Sequence, residues 1–527
     1  MGVVVRLRLH RRLLICLALV VATAVPAGVA SATEPADELA KPFVSQKTPP
    51  NAPSVHECDA TGNPTTNVRL DCDDPFPNNE PNIVVDPADP NHMIASSNDY
   101  GSCCDEYYTS FDAGQTWSTG NMSTRGPGVT GSDPITVIDP KHDTAVHFSL
   151  NYHVSSGIPA VNGDLVASVS TDGGLTWKVP VVVGQGRGAA LFLDKEGATV
   201  DLSPASPHYG RIYVTFTGFG GDAKRSKRSP IALSYSDDGG YTWSTPKEIS
   251  GFSAQYCTFQ TSGPAGECDE DQFSYPVATP DGTVYVAFQN GQHEAAWEAG
   301  EQFESQYLVV RSSNGGVSFG APVHVADQED GTRDFPENVD GQPTLTGMQP
   351  RVPSGGNIAA SPTDGRLYIT FTDNRLGSHD VDLPVTKARV FVTSSIGGAT
   401  WSTPTPINDV TGTTSDQWFP WADVAPDGTL GVIYNQRTGT NTHAADLAQG
   451  APAAFTTTRL TTADSDLNNS LYFQAGVPEC MTCTTFHGDY LGLDYGSDGA
   501  ANGAWTDMRD IDPETGLHRQ FVYYARR

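Results

Sequence analysis

The sequence is poor in basic residues. It has 31 lysines and arginines against 61 aspartates and glutamates, which gives a formal net charge of −30. A surface of this sign repels the phosphates of nucleic acids and the headgroups of anionic membranes. We therefore exclude nucleic acid and anionic membranes as partners. The same charge would also repel an acidic sugar at long range.

Long apolar runs are scarce, and the only one lies near the N-terminus, at residues 13–25. Four arginines precede it, and the small residues Ala30-Ser31-Ala32 follow it. This order is typical of a secretory signal peptide, so we predict that residues 1–32 are removed and that the protein is secreted. A transmembrane anchor is the alternative, but the run is short and no later segment resembles a second span. Residues 33–57, rich in proline and charge, are predicted to form a flexible lead-in.

Cysteines are few, and Cys16 lies within the predicted signal peptide. The remaining even number in an exported chain indicates disulfides. Neighbouring cysteines suggest four pairs, although the connectivity stays open: Cys58 with Cys72, Cys103 with Cys104, Cys257 with Cys268, and Cys480 with Cys483. A zinc site is the alternative for the last pair, but no second such pair occurs, so we favour a disulfide.

Several catalytic motifs are also missing. The chain has no phosphate-cradling glycine loop, no HExxH zinc motif and no Gly-x-Ser-x-Gly nucleophile elbow. It also shows no helical period of useful length. What it has instead is 53 glycines and 38 prolines, which suit a turn-rich all-β protein.

One eight-residue string recurs five times at intervals of 60 to 82 residues. The copies are SFDAGQTW (110–117), STDGGLTW (170–177), SDDGGYTW (236–243), SSNGGVSF (312–319) and SSIGGATW (394–401). Two short strands joined by a proline- or glycine-containing turn start each repeating unit. We count seven such starts, with turns at 86–92, 139–143, 203–210, 279–282, 361–365, 425–428 and 496–499.

Four antiparallel strands per unit predict a single β-propeller over residues 58–527, with seven blades favoured and six as the alternative. One blade cannot bury both of its faces, so the units must close into a ring. In the recurring string we assign structural roles: glycine supplies positive φ, aspartate accepts backbone N–H bonds within the turn, and the final aromatic residue wedges between blades.

The pattern S-x-D-x-G-x-T-W resembles the Asp-box, or BNR, repeat of sialidases and related secreted propellers. The resemblance implies a carbohydrate-active protein, namely a sialidase-like exo-glycoside hydrolase whose partner is a glycan or glycoconjugate. Asp-boxes also occur in non-catalytic propellers, and the known sialidases have six blades. The alternative function is therefore a non-catalytic propeller that binds glycan or protein.

A set of acidic residues stands just before the inner strands: Glu80, Asp133, Glu196, Asp271, Asp416 and Asp489. In a closed ring these positions converge near the axis, where carboxylates can act as general acid and base or bind calcium. The alternative is that each one caps its own strand. We predict no other cofactor, and the oligomeric state stays open.

Three arginines follow second strands at equivalent positions: Arg375, Arg437 and Arg509. Together they could hold one substrate carboxylate, and they look like the arginine triad of sialidases. The alternative is an ion pair within each blade, such as Arg375 with Asp373. Arg351-Val352-Pro353 resembles the family's early F-R-I-P-like motif, but it lies in the fifth unit and not in the first.

Retaining sialidases use a tyrosine nucleophile assisted by a glutamate, with a separate aspartate as acid/base. The resemblance therefore implies catalytic roles for Tyr490 or Tyr434, for Asp489 or Asp271, and for Glu80. Asp416 and Trp418, which lie close together before an inner strand, are predicted to contact substrate with the arginines. An ordinary packing role is the alternative for each tyrosine.

Overall fold

The computed structural model describes residues 59–71, 77–100, 104–125, 129–155, 158–187, 190–220, 228–261, 263–297, 304–338, 341–380, 384–408, 415–467, 486–513 and 516–527. The predicted signal peptide and lead-in lie outside these residues. Nearly all regular structure in the described part is antiparallel strand, and a single 3₁₀ turn covers Glu294–Ala296. None of its helices is long and apolar enough to cross a membrane.

Seven antiparallel sheets follow one another along the chain. Two short strands come first: β1 (Asp59–Thr61) and β2 (Val68–Arg69). Blade 1 contains β3 (Asn78–Val85), β4 (Met93–Asp99), β5 (Asp105–Ser110) and β6 (Thr116–Asn121). Blade 2 contains β7 (Val129–Asp139), β8 (Thr144–Ser155), β9 (Ile158–Ser170) and β10 (Val181–Gly184). Blade 3 contains β11 (Leu191–Val200), β12 (Ile212–Gly220), β13 (Ile231–Ser236) and β14 (Lys247–Glu248).

The second half of the ring repeats this order. Blade 4 contains β15 (Asp271–Ala278), β16 (Val284–Asn290), β17 (Gln306–Ser312) and β18 (Val323–Asp327). Blade 5 contains β19 (Ile358–Ala360), β20 (Arg366–Asp373), β21 (Arg389–Ile396) and β22 (Thr405–Pro406). Blade 6 contains β23 (Gln417–Val424), β24 (Leu430–Arg437), β25 (Thr442–Gly450), β26 (Thr456–Arg459) and β27 (Ser465–Asp466). Blade 7 contains β28 (Gly492–Tyr495), β29 (Ala501–Asp507) and β30 (Phe521–Arg526). The predicted seven-bladed propeller is confirmed.

The N-terminal segment closes the ring. Strand β2 is the outermost strand of blade 7, where Val68 pairs with Tyr524 and Arg69 with Tyr523 of β30. Strand β1 pairs separately with β6 of blade 1. The last blade therefore contains strands from both ends of the chain. The sequence did not predict this closure, because a two-residue strand carries no periodic signal.

The hydrophobic core is divided into clusters that lie between neighbouring blades. The aromatic residue that ends the recurring string contributes to these contacts. Trp117 packs against Tyr524 of blade 7 with ring centroids 5.0 Å apart, and Trp243 packs against Phe148 of blade 2 at 5.3 Å. Burial of large rings at the blade interfaces is what favours closure over an open row of sheets. The predicted wedge role of these aromatics is confirmed.

Hydrogen bonds inside the recurring turn explain its polar residues. In the second copy, Asp172 Oδ1 accepts the Thr176 backbone N–H at 2.9 Å, and Ser170 Oγ accepts the Gly174 N–H at 2.9 Å. Partial burial acts to raise the pKa of Asp172, but the hydrogen bonds from Thr176 outweigh it and lower that pKa. The aspartate thus holds the turn together, as the sequence predicted.

The first copy of the turn contains a strained residue that the other copies avoid. Ala113 has φ 61°, whereas the equivalent position in the fifth copy is Gly397 with φ 76°. We expect Ala113→Gly to stabilise the protein by about 0.5 kcal/mol, because the left-handed strain of about 1–2 kcal/mol exceeds the entropic cost of glycine. Equilibrium unfolding in urea measures the difference.

The reverse substitution is the control. A Cβ on Gly397 would meet no heavy atom within 4 Å, so Gly397→Ala changes the backbone preference without a clash. We expect it to destabilise the protein by about 1 kcal/mol. Equal stabilities for Ala113→Gly and the wild type would contradict the assignment of strain.

Candidate functional site

The inner strands share an unusual backbone feature. Five of them have a register shift next to a non-glycine residue in the left-handed region, at Glu80 (φ 57°), Asp133 (57°), Lys195 (57°), Phe273 (53°) and Phe419 (54°). Each such residue costs about 1–3 kcal/mol. A bulge also breaks the alternation of side chains along a strand, so it can redirect a side chain out of the sheet. The strain is repeated from blade to blade, so it belongs to the architecture of the site.

Lys195 shows where these side chains point. Its Nζ lies 3.5 Å from Asp489 Oδ2 of blade 7 and 3.9 Å from Glu80 Oε1 of blade 1. The same Nζ lies over the Tyr490 ring, 4.2 Å from its centroid, and 5.2 Å from that of Phe273. A residue of blade 3 thus contacts blades 1, 4 and 7, which can meet only around the axis. We call the group at this place the hub: Glu80, Asp133, Asp194, Lys195, Glu196, Arg351, Asp489 and Tyr490.

Asp489 is the ionised carboxylate of the hub. Arg351 binds it with two N–H groups, and the Nε–Oδ1 distance is 3.1 Å. Burial acts to raise the pKa of Asp489, but Arg351 and Lys195 outweigh it and lower that pKa. Two cations therefore hold one buried carboxylate in its charged form.

Glu80 has the opposite environment. Its Oε2 accepts a 2.8 Å hydrogen bond from Asn98 Nδ2, whereas Oε1 has no hydrogen-bond donor among the described residues. Burial, and then the neighbouring Asp133, raise the pKa of Glu80 well above its usual range. Burial and Asp133 also raise the pKa values of Asp194 and Glu196. The hub therefore combines carboxyl groups that favour the neutral form with one that favours the charged form, an arrangement found in acid–base catalysis.

Tyr490 adds a phenol to this group. Burial, followed by the charges of Glu80 and Asp133, raises the pKa of its hydroxyl well above the usual range. Within the described chain, nothing forms a hydrogen bond with this hydroxyl, and the residue is half-buried. A neutral phenol becomes a nucleophile only when a base removes its proton, and Glu80 is the carboxyl with the largest effect on it.

The three arginines of the sequence analysis lie apart from the hub. Each is bound to the aspartate of its own blade, with N–O distances of 2.8 Å for Arg375–Asp373, 2.9 Å for Arg437–Asp416 and 2.6 Å for Arg509–Asp507. No contact between the three guanidinium groups occurs in the described ranges. This arrangement agrees with the alternative given in the sequence analysis, in which each arginine forms an ion pair within its own blade.

The other predicted residues also make contacts outside the hub. The buried Tyr434 belongs to the core between blades 5 and 6, and its hydroxyl accepts a 3.0 Å hydrogen bond from Asn408. Trp418 is buried between blades 6 and 7 and donates a 3.1 Å hydrogen bond to His487. Of the predicted catalytic and substrate-binding residues, the structure brings together Glu80, Arg351, Asp489 and Tyr490.

Asp271 lies between blades 3 and 4, and its Oδ1 accepts a 2.6 Å hydrogen bond from Asn290. Burial raises the pKa of Asp271 to about 8, against the opposing hydrogen bonds from Ser250 and Asn290. Folding therefore takes up a proton between the unfolded pKa of about 4 and pH 8, so the stability falls as the pH rises through this range. Asp271→Asn, which stays neutral, should stabilise the protein by a few kcal/mol at pH 8 and by almost nothing at pH 4.

Thermal unfolding at the two pH values measures this difference. Parallel pH profiles for the wild type and the variant would contradict it. If the variant lost activity at unchanged stability, the result would support the predicted catalytic role of Asp271.

One predicted disulfide is confirmed, between Cys257 and Cys268. Cys104 is disulfide-bonded as well. The remaining candidate cysteines lie outside the described residues: Cys58, Cys72, Cys103, Cys480 and Cys483.

The sequence analysis missed Lys195, the residue that contacts the most members of the hub. The sequence analysis included Glu196 because it aligns with the acidic residues of other blades. The left-handed position falls one residue earlier, on Lys195. A bulge leaves no periodic mark in the sequence, so this shift was not visible there. Asp194 was missed for the same reason.

No family model matches the chain, and no curated protein does either. Among solved structures, the intramolecular trans-sialidase from Ruminococcus gnavus is similar at 12% identity, with 73% of this chain and 94% of that chain covered and a TM-score of 0.40. The GH93 α-L-arabinofuranosidase of Fusarium graminearum is similar at 12% identity, with 71% of this chain and 92% of that chain covered and a TM-score of 0.43. A PL25 ulvan lyase is similar at 11% identity, with 85% of this chain and 94% of that chain covered and a TM-score of 0.45. At these scores no activity or site residue follows from the likeness.

Proposed function

We propose that the protein is a secreted, sialidase-like exo-glycoside hydrolase that acts at the hub. The observation that supports this most is the meeting of three groups around Lys195: the phenol of Tyr490, the carboxyl of Glu80 and the ionised carboxylate of Asp489. The carbohydrate class is suggested by the recurring turn, which resembles the Asp-box. Hydrolysis of a glycosidic bond requires an acid for the leaving oxygen and a nucleophile at the anomeric carbon, and the hub has side chains for both.

In the proposed reaction, Tyr490 Oη attacks the anomeric carbon while ionised Glu80 accepts the phenolic proton. Asp194, whose pKa is raised by burial and then by the neighbouring Asp133, donates its proton to the glycosidic oxygen as the bond to the leaving alcohol breaks. Water then attacks the glycosyl–tyrosine bond. Asp194 takes a proton from this water, and Glu80 returns its proton to Tyr490. Atoms and protons balance over the two steps.

Arg351 and Asp489 have a positioning role in this scheme. Their ion pair fixes Lys195, whose ammonium lies over the Tyr490 ring and stabilises negative charge that develops on its oxygen. Because Asp489 favours its charged form, it is a poor proton donor, and we assign the acid role to Asp194 instead.

A panel of chromogenic glycosides tests the proposal, beginning with a sialoside and including α-L-arabinofuranosides. We expect turnover of at least one substrate and a reduction of about 100-fold or more in Asp489→Asn, because the neutral amide no longer holds the two cations in place. Asp427→Asn is the matched control, since Asp427 is fully exposed and lies in a strand-connecting turn of blade 6. Its turnover should equal that of the wild type.

Complete inactivity across the panel, together with retained binding on a glycan array, would favour the non-catalytic propeller. Equal losses in Asp489→Asn and Asp427→Asn would show that the effect is not specific to the hub.

A further inference from the structure

A cluster of two histidines and an aspartate lies on blade 4, away from the hub. His293 Nδ1 is 2.9 Å from Asp327 Oδ1, and His324 Nε2 is 2.8 Å from the same oxygen. One potential ligand atom from each of the three side chains lies within 4.8 Å of the other two. Two imidazole nitrogens therefore converge on a single carboxylate oxygen.

The local backbone explains how this cluster forms. His324 and Asp327 are three residues apart on strand β18, and in a regular strand they would face opposite sides of the sheet. The pairing of β18 with β17 shifts register between Tyr307 and Leu308. This irregularity brings both side chains to one side, where His293 arrives from the connection between β16 and β17.

The cluster is also held from two directions. The Tyr256 ring stacks on His324 with centroids 5.0 Å apart and meets His293 edge-on at 5.5 Å. Tyr256 is adjacent to Cys257 of the Cys257–Cys268 disulfide, which restrains it. On the other side, the Asp327 carbonyl accepts a 2.8 Å hydrogen bond from Arg375 of blade 5. The site is thus positioned before any ligand binds.

The donor set determines which ligand fits. Imidazole nitrogens suit zinc and its neighbours among the transition metals, whereas calcium and magnesium prefer oxygen donors only. Two histidines and one carboxylate leave at least one coordination position for water. The side chains are partly exposed, at 12% for His293, 23% for His324 and 46% for Asp327, so an ion can reach them from solvent.

We propose that His293, His324 and Asp327 bind one zinc ion at the rim of blade 4. The ion replaces the hydrogen bonds that now join the imidazoles to the carboxylate, and it fixes the connection between β16 and β17 to the end of β18. Neither imidazole forms a further hydrogen bond through its second nitrogen to a described residue, so no such bond orients the ring for metal binding. The affinity should therefore be moderate, with a Kd of about micromolar order.

The test is a titration of the full secreted protein after treatment with a chelator. Co²⁺ is the first probe, because its visible absorption reports four- or five-coordinate binding, and Zn²⁺ is then added to displace it. We expect one Co²⁺ per chain. We also expect binding to weaken by about 100-fold or more in His293→Ala and in His324→Ala.

His379→Ala is the matched control. His379 belongs to a second group with Glu329 and Asp334, which also lie close enough to share an ion. If our assignment is right, this variant keeps the absorption that the other two lose. Absence of absorption in the wild type at millimolar Co²⁺, or loss of binding in His379→Ala alone, would overturn the proposal.

If a histidine variant fails to fold, Asp327→Asn is the second variant, and it should weaken Co²⁺ binding while His379→Ala retains it. The readout of the titration is metal binding, so it does not depend on whether the hub hydrolyses a glycoside.

Discussion

Phenylalanine in place of Tyr490 is expected to lower kcat at least about 1,000-fold while the protein stays folded, because the substitution removes the atom that forms the bond to the sugar. Since the hydroxyl has no hydrogen-bond partner among the described residues, its loss should cost little stability. The ring that contacts the Lys195 ammonium remains. Steady-state kinetics on the best substrate of the panel, with KM measured separately, gives the result.

Tyr434→Phe provides the matched control, because it is the same chemical change at the second tyrosine that the sequence offered. Tyr434 is buried in a blade interface, and its hydroxyl forms hydrogen bonds with the side chains of Thr457 and Asn408. We expect a loss of about 1 kcal/mol in stability and unchanged turnover. The opposite pattern, with Tyr434→Phe inactive and Tyr490→Phe active, would show that the nucleophile was assigned to the wrong residue.

The pH profile gives a second readout of the same step. Glu80 accepts the phenolic proton only when it is ionised, and burial, followed by the charge of Asp133, raises its pKa well above the usual value for glutamate. The wild-type kcat/KM should therefore fall at low pH with an apparent pKa higher than that of an ordinary carboxylate. A profile governed by a pKa near 4 would contradict the role of Glu80 as the base.

The repeated parts of the fold were predictable because each repeat carries its own local chemistry. Glycine, aspartate and the final aromatic residue of the recurring turn each satisfy a requirement that lies within eight residues of chain. Seven strand-pair starts then gave the number of blades. The closing strand β2 could not be predicted in this way, since its partner β30 lies more than 400 residues away and its own two residues form no pattern.

The site was only partly predictable for a related reason. Convergence near the axis follows from any propeller, so Glu80, Asp489 and Tyr490 could be proposed from their positions before inner strands. The bulge decides which further side chains enter the hub, because the left-handed position falls on Lys195, one residue before Glu196. The arginines show the converse. Arg375, Arg437 and Arg509 repeat because the Asp–Arg pair is part of the blade, and repetition alone does not indicate a shared ligand.

Removal of the closing strand is expected to have the largest effect on stability. Val68 of this strand and Leu70, which directly follows it, are buried in the core between blades 1 and 7, at 1% and 0% exposure. Leu70 N–H donates a 2.8 Å hydrogen bond to Val522 O, and Asp71 Oδ2 accepts one from Val522 N–H at 2.8 Å. Loss of a large buried aliphatic side chain costs about 2–5 kcal/mol, so losing this segment should cost at least about 5 kcal/mol. A cost of that size is comparable with the whole stability of a typical domain.

Two truncated chains distinguish the effect of losing strand β2, which closes the ring, from the effect of losing the residues before it. A chain that starts at Asn63 keeps β2 and its flanking contacts, whereas one that starts at Cys72 lacks them, and both lack β1 and Cys58. We expect the first to unfold at nearly the wild-type temperature and the second to be largely unfolded or aggregated at 25 °C, as followed by circular dichroism and size-exclusion chromatography. If both truncations unfold alike, the ring is held by the blade interfaces alone. Strand β2 would then pair with blade 7 without being needed for ring closure, and the hub would keep its geometry in its absence.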